Sequence, residues 1–187
     1  MEYVWPRRAF GGWSVTLRSI GIVVLVTVII GGLTSPAQQH LPEAIRSLAN
    51  AAGPWFVGVL AAVWLGRSPL VLAILLGIAG FLLLTLSYGV VTELRGFPWA
   101  FINIWTIVAI PAGTTVGVAT TWLRSKRKFL VFWGAAVPAI VLIAEGIYGL
   151  VVVVATTGPV VWILELVGGV AWMMWVWARQ LRPGARP

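Results

Sequence analysis

Residues 69–91 read PLVLAILLGIAGFLLLTLSYGVV, from Pro69 to Val91, without one charged side chain. A helix needs about 20 apolar residues to cross the hydrocarbon core of a bilayer, and this run meets that length by itself. Five further segments on either side share its character. They are roughly Ser14–Leu33, Leu48–Gly66, Trp99–Leu123, Phe129–Thr156 and Pro159–Ala178. The breaks between them carry turn chemistry: Gly66-Arg67-Ser68-Pro69, Thr92–Pro98, Arg124–Lys128 and Thr156-Thr157-Gly158-Pro159. Proline lacks the amide that a helix interior needs, so three of these breaks end in a natural stop. The expected architecture is an all-α integral membrane protein, a bundle of six transmembrane helices forming a single membrane domain over residues 1–187.

Composition leads to the same class. The chain has 187 residues, of which 60% are hydrophobic and 10% charged. A soluble domain carries about 25% charged residues. That excludes a water-soluble globule, a disordered tail and a nucleic-acid binder. There is no cysteine, hence no disulfide framework, thiolate metal site or cysteine nucleophile. There is no aspartate either: the five acids are Glu2, Glu43, Glu93, Glu145 and Glu165, and the single histidine is His40. Such a donor set predicts no metal and no cofactor. No Ser-His, Cys-His or aspartyl pair is visible, so the chain is not expected to be an enzyme.

The net charge of +8 is a topology signal. Lys and Arg concentrate on the cytoplasmic side of membrane proteins. With six spans, eleven of the thirteen basic residues fall on the side of the termini: Arg7, Arg8, Arg18, Arg67, Arg124, Lys126, Arg127, Lys128, Arg179, Arg182 and Arg186. Arg46 and Arg95 fall on the other. Both termini are therefore expected in the cytoplasm of a cell carrying this chain as a multi-pass plasma-membrane protein. Arg7 and Arg8 ahead of an apolar run and Ser35-Pro36-Ala37 also resemble a secretory signal; the run is long for one, and a retained first span is preferred. Tryptophans mark the boundaries, with Trp13, Trp64, Trp122, Trp133, Trp175 and Trp177 near the inner interface and Trp55, Trp99 and Trp162 near the outer. Trp5 belongs to the tail, and Trp105 and Trp172 lie deeper.

Ionisable groups inside a span are costly and are functional candidates by default. Two qualify, Glu145 in the fifth span and Glu165 in the sixth, both in the outer half. A short Gly158-Pro159 turn makes these spans antiparallel neighbours. Tyr148 is one turn from Glu145, and Trp162 one turn from Glu165. The fourth span presents Trp99, Asn103 and Trp105 at its outer end, and the third aligns Thr85, Tyr88 and Thr92. The first outer loop holds Gln38, Gln39 and His40, then Leu41–Asn50, where apolar residues at helical spacing predict a short amphipathic helix on the interface. Arg95 comes from the second outer loop. Each glutamate also has a structural reading, bonded to a Tyr, Trp or backbone partner or locked to Arg46 or Arg95.

A resemblance covers Gly32 to Gly149. It rests on Leu33-Thr34-Ser35 with Gln38 and Gln39, Leu41-Pro42, Leu48-Ala49-Asn50, Trp55, Leu94-Arg95-Gly96-Phe97-Pro98 and Ala144-Glu145-Gly146. In these residues the chain resembles a family of small uncharacterised actinobacterial-type membrane proteins of similar length and span count, a domain of unknown function. The resemblance implies fold kinship and no activity. The topology is also similar to the substrate-binding S components of energy-coupling-factor transporters, whose first outer loop covers an outward-facing site. Their alanine-rich coupling patch is not reproduced, since only Gly21, Gly31 and Gly32 stand in the first span. Trp-rich sensory or translocator proteins and small multidrug exporters match less, in span number and motif.

Together these features predict a small-solute binding or transport subunit with an outward-facing pocket. Glu145 and Glu165 would hold a cationic or amine-bearing solute or a coupling proton. Trp99, Trp105, Trp162 and Tyr148 would stack on it, and Asn103, Gln38, His40 and Arg95 would add polar contacts. Expected partners are the lipid bilayer, the solute, and further membrane or ATPase subunits. The alternative is a non-transporting accessory or lipid-interacting protein.

Overall fold

Every regular element among the described residues is helical. The structure is a computed structural model, and it describes residues 12–181. The elements are α1 (Trp13–His40), a 3-10 helix (Glu43–Ala49), α2 (Ala52–Gly66), α3 (Leu70–Leu94), α4 (Ile104–Leu123), α5 (Lys128–Tyr148), a π-helical turn (Gly149–Val153), α6 (Val154–Thr157) and α7 (Val160–Leu181). Five helical stretches are long and apolar enough to cross a membrane, and a sixth qualifies only if the 3-10 helix and α2, bent by 52°, count as one. The chain is thus a multi-pass membrane protein. Trp5, Arg7, Arg8, Arg182, Arg186 and Glu2 lie outside the described residues.

Several boundaries differ from expectation. Helix α1 does not stop near Leu33 but runs to His40 with Pro36 inside it. Gln38 and His40, expected in a loop, therefore sit on its last turn. The extension is held by neighbours, because Thr92 Oγ1 and the Arg95 guanidinium both bond to Ser35. The expected amphipathic α-helix is a 3-10 helix, packed against α1, α6 and α7. Helix α4 begins at Ile104 rather than Trp99. Asn103 is its N-cap, in a reciprocal capping box with Thr106, and that local bond network defines the start. The fifth span widens to a π turn at Gly149, where the indole of Trp162 occupies the space a side chain would take.

Helix α2 departs furthest. It starts at Ala52, not Leu48, and its 15 residues span about 22 Å, short of the roughly 30 Å hydrocarbon thickness. It is also closely enclosed. Val59, Ala62 and Val63 are fully buried, and α1, α3, α4 and α5 all pack on it. A short central helix sheathed by longer ones is the organising feature of the bundle.

The sheath is closed by small residues. A Cβ added at Gly77 of α3 would fall on the carbonyl of Gly113 in α4, and one at Gly113 would fall on the backbone of Gly77 and Ile78. The two backbones are in direct contact, the close approach that glycine permits between membrane helices. Gly113→Leu is expected to cost about 3 kcal/mol or more, read as a lower unfolding midpoint in detergent. Gly21→Leu is the control, since a Cβ there meets nothing within 4 Å. Equal midpoints for the two variants would reject the seam.

Candidate functional site

The first turn of any helix exposes amides with no partner in the helix itself. The N-cap of α2, Ala51, offers no side-chain acceptor, and this end of the helix is buried. The acceptor comes from 93 residues away. Glu145 of α5 takes the Ala52 amide on Oε1 at 2.5 Å and the Gly53 amide on Oε2. A carboxylate at a helix N-terminus is favoured both by these bonds and by the helix dipole.

Glu165 of α7 reaches the same place. It is 7% exposed, and neither carboxyl oxygen has a hydrogen-bond partner among the described residues. A Cβ built on Gly53 would lie 2.8 Å from Glu165 Oε1, 2.9 Å from Glu145 Oε2 and 2.9 Å from Leu142 Cδ2. Both carboxylates therefore touch one glycine, and Gly53 is required there for lack of room.

A second polar assembly forms between the ends of α1 and α3. It is an open cleft of about 580 Å³ lined by Ser35, Gln38, Gln39, Tyr88, Thr92, Arg95, Phe97 and Pro98. The Arg95 guanidinium donates to the Ser35 carbonyl, to Ser35 Oγ at 2.6 Å and to Gln39 Oε1, with the Phe97 ring centroid 5.5 Å away. Tyr88 donates its hydroxyl to Gln38 Oε1 at 3.2 Å. Gln38 in turn donates to the Ala49 carbonyl at 3.2 Å and to Asn50 Oδ1 at 3.0 Å. No carboxylate lines the cleft.

A family model described as a family of unknown function, DUF6518, matches residues 12–186. The chain belongs to this family. No curated protein and no solved structure matches the chain.

The structure thus brings Glu145 and Glu165 together, and Gln38 and Arg95 together, but in two assemblies rather than one. Trp162 is buried against Gly149 and donates its indole N–H to Thr157 Oγ1 at 2.8 Å. Trp99 covers Gly89 and meets Phe101 edge-on. Trp105 packs on Trp55, whose ring also meets Tyr88. The Asn103 side chain is taken up by its own helix cap. Tyr148 and His40 are exposed, and neither lines the cleft. The lining residues Ser35, Gln39 and Thr92, and the Ala52 and Gly53 amides, were not among the candidates. For Thr92 the signal was its alignment with Tyr88 on one helix face, for Gln39 its place beside Gln38, and for the amides Gly53-Pro54 at the start of a short apolar run.

Glu145→Ala leaves two buried amides without an acceptor. Each such bond to a charged group contributes about 1.5–3 kcal/mol, so unfolding is expected to be easier by at least about 3 kcal/mol. Glu145→Gln, which keeps one acceptor oxygen, should lose less. Denaturant titration in detergent reads both, and equal losses would show that the carboxylate does not act as a cap.

Proposed function

We propose that this chain is a small-solute binding or transport subunit of the plasma membrane. In this reading it is a six-span bundle with both termini cytoplasmic and the cleft facing outward. The orientation is supported by charge. Arg46 and Arg95 stand at the cleft end, whereas Arg67, Arg124, Lys126, Arg127 and Lys128 stand at the opposite ends of the helices. The observation that carries the functional reading is the cleft itself. Its volume lies within the range of small-ligand sites, and a few convergent polar groups sit on an otherwise apolar frame.

The lining narrows the solute. Arg95, two glutamines and a tyrosine hydroxyl supply donors, and no carboxylate balances them. A guanidinium has five N–H donors, and the bonds to Ser35 and Gln39 do not use them all. A solute bearing a carboxylate or phosphate suits this surface better than the amine drawn from the glutamates alone, since the glutamates lie outside the lining. Transport would then draw its energy from an ion gradient or from partner membrane or ATPase subunits. A second reading has one observation in its favour. Phe97, Phe101 and Ile102, close to Arg95 in sequence, are exposed, which fits an accessory protein holding a lipid headgroup by its phosphate.

The test is thermal stabilisation of the purified protein by small carboxylates, phosphates, amines and short-chain phospholipids. A bound ligand stabilises by mass action. Carboxylate or phosphate hits are expected, with affinity falling at least tenfold in Arg95→Gln, about 1.4 kcal/mol, and less in Tyr88→Phe. Stabilisation by phospholipid alone favours the accessory reading. Amine hits that persist in Arg95→Gln reject the cleft as the solute site.

Topology has its own check, helped by the absence of native cysteine. Single cysteines at Ala100 and Thr156 are expected to react with a membrane-impermeant maleimide on intact cells, and a cysteine at Lys126 only after lysis. The reverse pattern overturns the orientation.

A further inference from the structure

We infer that the Glu145–Glu165 pair is a proton-binding site, built on the start of α2, that holds one exchangeable proton on Glu165. The two carboxylates differ in what surrounds them. Glu145 is served by two amides of the α2 N-terminus, donors that suit an ionised acceptor. Glu165 is buried and receives no donor. A bare carboxylate in that position would carry an uncompensated buried charge, which costs far more than binding a proton. Its neighbour Glu145, under 6 Å away by their common contact with Gly53, is a like charge that adds to the cost.

Other charged groups do not relieve it. Its helix, α7, is packed by α5, by the π turn and by the 3-10 helix. Helix α5 supplies Glu145, the exposed Tyr148 and, at its opposite end, Lys128; the π turn has no titratable side chain, and the 3-10 helix supplies Glu43 and Arg46, both exposed. Helix α2 has no titratable side chain at all. No ion pair joins Glu165 to Arg46.

Space and charge select the ligand. Glu165 Oε1, Glu145 Oε2 and Leu142 crowd the point where a single Cβ would sit on Gly53, and two carboxylates fall short of the six or more oxygens that a calcium ion takes. Among the described residues no three metal-ligating side chains cluster. The amides of α2 turn their positive end toward Glu145, which keeps the negative charge there and leaves the proton to Glu165, which has no donor. The site stands apart from the cleft, yet Gln38 of the cleft bonds Asn50, three residues before Gly53. The segment from Ala49 to Gly53 thus lies between the glutamate pair and Gln38 of the cleft.

The chain suits a direct test, because it has no aspartate and only five glutamates. Protein labelled with carboxyl-¹³C glutamate is purified in an ester-free maltoside detergent and followed by infrared spectroscopy in H₂O and D₂O. At neutral pH the inference expects one undissociated carboxyl band that shifts with ¹³C and with D₂O, persists in saturating sodium, and is absent in Glu165→Gln. The wild-type band serves alone if that variant does not fold. No undissociated carboxyl band at neutral pH in the folded protein overturns the inference. So does a band that sodium or potassium abolishes, which would make the pair a metal-cation site, or one that survives in folded Glu165→Gln. The outcome is independent of the ligand screen, so failure of the cleft and failure of the proton site are separable.

Discussion

The bundle is governed by one constraint: its central helix is too short to cross a bilayer and begins inside the protein. A helix of 15 residues enclosed by longer neighbours leaves its first amides inside protein, and in a membrane such groups have no solvent to turn to. Both ends of α2 are therefore served by side chains from other helices. Glu145 of α5 takes the first amides. At the far end Ser19 of α1 donates to the Gly66 carbonyl at 2.8 Å, and Arg18 to the Leu65 carbonyl at 3.3 Å. Arg124, after α4, donates to the Ser68 carbonyl at 2.5 Å and braces the turn in which Arg67 takes a left-handed conformation at φ 58°.

This arrangement gives the polar residues of the spans different duties. Arg18, Ser19 and Glu145 serve the ends of α2, and Arg124 serves the turn that follows it. Glu165 lies beside the same helix start with no such duty. A buried carboxyl that serves no backbone group is the feature of this fold that structure alone does not require. Its position also matters mechanically. The α2 start, the 3-10 helix before it and the cleft beyond form one continuous run, joined through Gln38, Ala49 and Asn50.

The spans were legible wherever the chain is long, apolar and ended by turn chemistry. Pro69–Val91 reads as a helix because its length and lack of charge permit no other structure in a bilayer, and α3 occupies Leu70–Leu94. Misreadings came where a distant partner overrides local signals. Pro36 looks like a terminus, yet Thr92 and Arg95 hold Ser35 and the helix continues past it. Leu48–Ala51 looks like a span start, yet the backbone turns there and Glu145 receives the amides beyond. At Asn103 the difference is local: the Asn103–Thr106 capping box was readable, but the apolar run starting at Trp99 outweighed it.

Sequence alone determined the class of this protein. Apolar runs of membrane-spanning length, few charges and the Arg and Lys distribution are local or compositional quantities, and they specify a multi-pass helical membrane chain with two intramembrane glutamates. Only the tertiary structure decided what those glutamates meet. Helix spacing placed Tyr148 beside Glu145 and Trp162 beside Glu165, because neighbours on one helix follow from its period. The decisive neighbours are the Ala52 and Gly53 amides, some ninety residues away in the chain. They meet the carboxylates because α2 stops short inside the bundle, and where a helix stops in three dimensions is a property of the packing around it.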